Sequence, residues 1–166
     1  AYNKDKLMGM VQSKKDDIGV YSIGCLGKIS DYQKIKDGRI LVNLTGITRF
    51  KILEEIPNKK LYREFKVDYN GFLKDLGDSN DEVDINDLME KSKTFFKRNG
   101  LLLNWMEFEK LEQMQKINTL AMIAPITNEE KQKILETISL ENKVKTLQNI
   151  ISFYLHETNL NNQTIQ

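Results

Sequence analysis

The 166-residue chain has one cysteine (Cys25), one histidine (His156), one tryptophan (Trp105) and two prolines (Pro57 and Pro125). A single cysteine excludes an intrachain disulfide framework, so the fold must rest on its own packing. One cysteine and one histidine exclude a conventional structural zinc site, which needs several such ligands. Cys25 lies in an apolar, strand-like run and is expected to be a small buried hydrophobe in a reducing, cytoplasmic setting. No apolar run reaches the roughly 18 residues that a membrane-spanning helix requires. No signal peptide is visible. The chain opens on Ala1 rather than Met, and we expect sequence upstream of it.

An excess of one charge is also missing. The chain carries 25 basic and 24 acidic side chains, a formal net charge of +1. Nucleic-acid binders usually show a strong basic excess. Only four of the basic residues are arginine (Arg39, Arg49, Arg63 and Arg98), and arginine is the preferred residue for bidentate phosphate and base contacts. With 40% hydrophobic and 30% charged residues, the chain is too apolar for disorder and too charged for a membrane protein.

The usual catalytic constellations are absent too. Gly24 to Gly27 lacks the Gly-x-x-x-x-Gly-Lys-Ser/Thr spacing of a phosphate-binding loop and is read as a bend within a strand. A Ser-His-Asp triad could use only His156, which sits near the end of the last helical segment and reads as a surface residue. Glu54-Glu55 and Glu129-Glu130 read as solvated or helix-start carboxylates rather than an acid–base pair. We therefore expect no catalytic residue, no metal and no cofactor.

What is present changes character near residue 75. Before it lie β-branched runs punctuated by glycine. Lys6–Gln12 is predicted as a short strand and Ser22–Ile35 as a long one, bulged or bent at Gly24 and Gly27. Asp37-Gly38 predicts a type I′ hairpin. Ile40–Leu44 and Ile47–Leu53 are predicted as two strands broken at Gly46. After a turn at Pro57-Asn58, the alternation from Leu61 to Tyr69 predicts a fifth, with Tyr62 on its polar face. Beyond the polar stretch Gly77–Asp81, the spacing becomes helical. Asp81 or Asp84 is expected to cap a helix carrying Ile85, Leu88, Met89, Phe95 and Phe96, stopped at Asn99-Gly100. A second helical run starts at Asn104 and continues until Pro125. Thr127-Asn-Glu-Glu130 is a capping box. Ser139 is expected to cap a last helix striped with Leu140, Val144, Leu147, Ile150, Ile151, Tyr154 and Leu155. We expect an α+β fold of two lobes: a β-rich lobe over 1–76 and an α-helical lobe over 77–166.

Several stretches carry a family likeness, in order along nearly the whole chain. They are Leu7-Met-Gly-Met10, Ile23-Gly-Cys-Leu-Gly-Lys-Ile29, Asp37-Gly-Arg39 followed by Leu44-Thr-Gly-Ile-Thr-Arg-Phe-Lys-Ile52, and Leu120-Ala-Met-Ile-Ala-Pro125 with Glu130-Lys-Gln-Lys-Ile-Leu-Glu136. Together they resemble the N-terminal substrate-binding domain of the Lon proteases, in the form found as small stand-alone bacterial proteins. The resemblance implies a PUA-like β-barrel or bent sheet followed by a helical bundle, and recognition of unfolded or marked polypeptides. That family normally opens further upstream with an apolar strand and a helix, so the barrel is expected to lack its first strand. An open edge of that kind implies a homodimer or other edge pairing. No serine lies in a context like the Lon protease active site. The function implied is a non-catalytic module that holds or delivers unfolded or damaged polypeptides, with a separate protease as a further partner. The alternative is RNA binding by the PUA-like barrel, and a small hydrolase is a third reading for which no constellation exists. Trp105 and Phe108, next to the apolar Leu101-Leu-Leu103, and Tyr62 are the candidate partner-binding side chains, with Leu102 at the centre of the loop.

Overall fold

A computed structural model describes residues 5–15, 19–77 and 82–163, except for the side chains of 157–163. The chain divides into two compact units, Ala1–Ser79 and Asn80–Gln166.

The first unit is an open antiparallel sheet in the order β1-β2-β3-β4, comprising β1 (Leu7–Met10), β2 (Ile23–Lys34), β3 (Ile40–Ile56) and β4 (Glu64–Asp68). Among the described residues the sheet does not close into a barrel; of the two architectures expected, the bent sheet is the one formed. Gly46 does not interrupt the chain as expected, because β3 runs through it as a single strand of 17 residues. The irregularity is absorbed by the pairing instead: Leu26 pairs Thr48 while Gly27 pairs Gly46, leaving Ile47 as an extra residue. A second shift falls between Ile29 and Asp31. Such bulges sharpen local twist and let a long ribbon curl.

Gly24 is required by packing rather than by φ. A Cβ there would lie 2.6 Å from the Met10 carbonyl oxygen and 2.7 Å from Phe50 Cζ. The hairpin between β2 and β3 departs from the type I′ expectation. The Gly38 N–H donates to Ile35 O, the Ile35 N–H donates to Arg39 O, and Gly38 alone in the turn has positive φ, at 87°. This is a three-residue loop with glycine in the left-handed position. Asp37 accepts from the Arg39 backbone N–H and Nε.

The predicted strand from Leu61 also starts late. Asn58 Oδ1 accepts the Lys60 N–H at 2.8 Å, closing an Asx turn that keeps the chain out of the ladder until Glu64. Tyr62 therefore lies in a loop and not on a strand face.

Among the described residues of this unit few apolar side chains are buried: Ile29, Phe50 and Phe72. Polar fastening supplements them. Following β4, residues Asn70–Leu76 form two 3₁₀ turns joined at Phe72. Asp75 accepts from Arg49 three times, from the backbone N–H at 3.0 Å and from Nε and Nη2 at 2.8 Å each. The Arg49 guanidinium also sits 4.6 Å from the Phe72 ring centroid. Cys25 is half-buried in β2, less enclosed than expected.

The second unit contains α1 (Asn86–Arg98), α2 (Trp105–Glu109), α3 (Gln113–Ile123), α4 (Asn128–Glu136) and α5 (Leu140–Gln163). Asp84 Oδ1 accepts the Asn86 N–H at 2.9 Å at the start of α1, while Asp81 lies outside the described residues. The single run expected from Asn104 to Pro125 is two helices, because the Glu112 N–H is taken by Gln115 Oε1 and a new helix begins. The Thr127–Glu130 capping box forms, with Glu130 N–H to Thr127 Oγ1 and Thr127 N–H to Glu130 Oε2. Ser139 Oγ accepts the Asn142 N–H at the start of α5. The stripe of α5 is buried at Leu140, Val144, Leu147 and Ile151, against Leu88, Phe95, Phe96, Phe108, Ile117, Leu120 and Ile134.

Candidate functional site

The four side chains singled out from the sequence are distributed over both units and differ in accessibility. Tyr62 is 62% exposed in the β3–β4 loop of the first unit, with Lys60 Nζ 5.3 Å from its ring centroid. Leu61 beside it is fully exposed. The loop borders a shallow, open hollow of about 450 Å³ lined by Ile56, Pro57, Leu61 and Tyr62 together with the polar Glu55, Asn58, Lys60 and Arg63. Arg63 ties the hollow's rim by donating from Nε to Glu55 Oε1 at 2.6 Å. That hydrogen bond holds the Glu55 carboxyl below the ordinary carboxylate range and raises Arg63 above its own. Lys60, ion-paired with Glu64, is raised as well. The charges at the hollow are thus mutually satisfied, Arg63 with Glu55 and Lys60 with Glu64.

In the second unit, Leu102, Trp105 and Phe108 form a graded series. Leu102 is fully exposed in the α1–α2 loop. Gly100, in the left-handed conformation with φ 68°, ends α1 and turns the chain into that loop. Asn104 Oδ1 then accepts the Glu107 N–H at 3.3 Å and starts α2. Trp105 is half-buried, with Phe96 at 6.0 Å on one side and Phe108 at 5.4 Å on the other. Lys93 Nζ stands 5.3 Å from the Trp105 centroid. Phe108 is only 2% exposed and belongs to the helical core, so it supports the Trp105 ring from behind. Met106 is 76% exposed on the same short helix; the sequence reading missed it. A stricter reading of α2 would have found it, since Trp105 and Phe108 are three apart and Met106 must face elsewhere.

A third apolar surface, also missed, lies on the β2–β3 ribbon. Because of the bulge after Ile29, the side chains of Ile29 and Tyr32 fall on the same face as Ile40, Val42 and Leu44. Ile29 is buried, but Tyr32, Ile40 and Leu44 are exposed. The ribbon thus carries the apolar face of the sheet outward beyond its core. The signal was legible as alternation in Ile40-Leu-Val-Asn-Leu44, but only the register shows which residues join it from β2.

Nothing in these surfaces is a catalytic constellation. His156, the one candidate base, is exposed on α5. Among the described residues no group of three or more His, Cys, Asp or Glu side chains could hold a metal ion. No helix among them is long and apolar enough to cross a membrane.

Comparison with known proteins places the chain in a family. The chain is 28% identical over 140 residues to the Lon protease of Brevibacillus choshinensis, covering 80% of this chain and 17% of that protein. It therefore spans about a sixth of the length of that relative. Among solved structures it is similar to the N-terminal domain of Mycobacterium avium complex Lon protease, with TM-score 0.58 and 16% identity, over 87% of this chain and 77% of that one. It is also similar to the Lon N-terminal domain protein of Xanthomonas campestris, with TM-score 0.54 and 12% identity, over 86% and 88% of the two chains. These two likenesses establish the fold, an open antiparallel sheet followed by helices. The profile of the ATP-dependent protease La (LON) substrate-binding domain matches residues 1–152, and by that match the chain belongs to the Lon substrate-binding domain family.

Proposed function

We propose that this chain is a non-catalytic module that binds unfolded or damaged polypeptides through exposed apolar side chains, in the cytoplasm, and holds or delivers them to a protease. The match of residues 1–152 to a substrate-binding domain carries this reading. The surfaces supply suitable chemistry. Leu102, Met106 and the half-buried Trp105 offer adaptable apolar contact on the helical unit, and Leu61 and Tyr62 do so on the β unit. Flexible methionine and leucine side chains suit many clients better than one. Phe108 contributes by holding Trp105 in place.

Binding of this kind is weak, with dissociation constants on the order of micromolar, about −8 kcal/mol. Titration of reduced casein, followed by Trp105 fluorescence and run beside a gel for cleavage, tests it. Saturable binding without cleavage is expected. Leu102→Ser should weaken that binding several-fold while leaving stability within about 0.5 kcal/mol, as expected for an exposed position. Cleavage that survives repurification would overturn the non-catalytic assignment. Salt-sensitive RNA binding with no casein binding would overturn the polypeptide assignment.

A further inference from the structure

The chain holds two Asn-Gly dipeptides, Asn70-Gly71 in the β unit and Asn99-Gly100 in the helical unit. Asparagine is a thermolabile residue, and a following glycine makes it more so. With no Cβ, glycine lets its own backbone nitrogen swing onto the asparagine side chain. The reaction needs that N–H and the side-chain amide free of other partners, and it needs the backbone between them to leave a helical conformation. Both asparagines are exposed, so access of water does not separate them. Hydrogen bonding does.

Asn99 is fastened at the end of α1. Its Nδ2 donates to Phe95 O at 2.8 Å, and its backbone N–H donates to the same oxygen at 3.1 Å. The Gly100 N–H donates to Lys97 O at 3.2 Å and the Leu101 N–H to Phe96 O at 2.9 Å. Rotation between Asn99 and Gly100 would unwind the end of a 13-residue helix whose Phe95 and Phe96 lie in the core. Asn70 opens the 3₁₀ segment after β4. Its backbone N–H donates to Asp68 Oδ1 at 3.2 Å, but its side-chain amide has no hydrogen-bond partner among the described residues. The Gly71 N–H precedes the first bond of the turn, from Phe72 N–H to Tyr69 O at 2.8 Å, and is left unpaired as the first N–H groups of a helix are. A Cβ on Gly71 would meet nothing within 4 Å, so the nitrogen is open to approach. The turn to be opened belongs to a seven-residue segment already kinked at Phe72.

We propose that Asn70 is a site of spontaneous deamidation in the folded protein, and that Asn99 is protected from it. The Gly71 nitrogen attacks Asn70 Cγ. A Cγ–N bond to Gly71 forms, the bond from Cγ to Nδ2 breaks, and ammonia leaves with the proton lost from Gly71. Water then opens the cyclic imide at either carbonyl, leaving aspartate or isoaspartate at position 70. Either product adds a carboxylate beside Asp68. Isoaspartate also lengthens the backbone of the turn that carries Phe72 and Asp75. Phe72 O accepts from Thr48 Oγ1 at 3.3 Å and Asp75 accepts from Arg49, so the modification loosens the attachment of this segment to β3.

The test incubates the whole chain in warm, mildly alkaline buffer, with and without denaturing urea. Samples taken over time are mapped by peptide mass spectrometry, and isoaspartate is marked by enzymatic methylation of its carboxyl group. In the native protein Asn70 should convert at least tenfold faster than Asn99. In urea the two rates should come within about threefold of each other, because only the fold distinguishes two Asn-Gly pairs. Asn70→Gln should abolish the signal at 70 and leave the Asn99 rate unchanged. The comparison within the unaltered chain stands even if that variant misfolds. In the isoaspartyl fraction, hydrogen exchange at the Arg49 amide, which Asp75 holds, should quicken. Conversion of Asn99 at the same rate as Asn70 or faster in the native protein would overturn the proposal. So would a native Asn70 that stays intact while both sites convert in urea, or a rate ratio that urea leaves unchanged. Unchanged exchange at Arg49 would overturn the loosening drawn from it.

Discussion

The described part of the helical unit encloses thirteen apolar side chains in one cluster, whereas that of the β unit buries three, Ile29, Phe50 and Phe72. The contrast reverses at the surface. The β unit exposes Met10, Tyr32, Ile35, Ile40, Leu41, Leu44, Leu53, Ile56, Leu61 and Tyr62 among others, while the helical unit exposes few large apolar residues besides Leu102, Met106, Met122, Ile138 and Phe153. Five helices can each turn a stripe inward and bury it in common. The described part of the first unit is a four-stranded open sheet, which offers two faces and few further elements to pack on them. In the first unit, stability leans on a few fixed points, including the Arg49–Asp75 fork and the contact of Phe50 against Gly24. The two regions thus divide labour differently: one invests its apolar residues in a core, and the other leaves many of them in reach of solvent.

The largest effect should come from the helical core. Leu147 and Ile151 are fully buried, and replacing either with alanine should cost about 2–5 kcal/mol, the range for large-to-small core substitutions. Urea unfolding followed by circular dichroism at a helical wavelength measures it. A cost below about 1 kcal/mol would mean that the helical unit is as loosely packed as the sheet, and the contrast would collapse.

A smaller but diagnostic loss is expected in the β unit at Gly24, where a methyl group would meet the Met10 carbonyl and Phe50. Gly24→Ala should destabilise by about 1–3 kcal/mol through overpacking. Hydrogen exchange at β1 and β2 amides locates the damage. Unchanged protection there would show that β1 can shift away freely and that the contact is not a fixed point.

The smallest effect has the opposite sign and lies inside the well-packed unit. Ser92 is fully buried on α1, and its hydroxyl has no hydrogen-bond partner. Ser92→Ala removes an unsatisfied polar group and improves helix propensity, so stability should rise, by up to about 1 kcal/mol. Thermal unfolding of the two proteins side by side decides it. A clear loss would show that the hydroxyl is satisfied in solution.

Much of the helical unit was legible because its signals are local. Caps at Thr127 and Ser139, the stop at Gly100 and the α5 stripe depend on residues three or four apart, and the structure forms each where the sequence places it. The break between α2 and α3 was not legible, since helical periodicity passes through residues 110–112 almost undisturbed and the Gln115 side chain decides the boundary. The sheet was harder. Strands were located, but Gly46 read as a break because glycine is a poor strand residue, while pairing with β2 on one side holds the strand through it. Leu61 and Tyr62 read as strand because they continue an alternation, and the Asn58 side chain took the chain out of the ladder first. Of the candidate binding residues, Leu102 and Tyr62 are exposed and Phe108 is core. A five-residue helix presents Trp105 and Phe108 at different depths, and sequence spacing does not resolve depth.

By itself the sequence determined the class of this protein: a β-rich half followed by helices, no disulfide, no recognisable nucleotide loop, and an ordered set of motifs resembling the Lon substrate-binding domain. These follow from composition and from interactions between near neighbours in the chain. Only the tertiary structure decided that the described strands do not close into a barrel, that β3 is one strand, and which residues of β2 share a face with Ile40, Val42 and Leu44. Those features depend on register between strands far apart in sequence, where a shift of one residue exchanges the two faces, and the order of residues along a single strand does not contain that information.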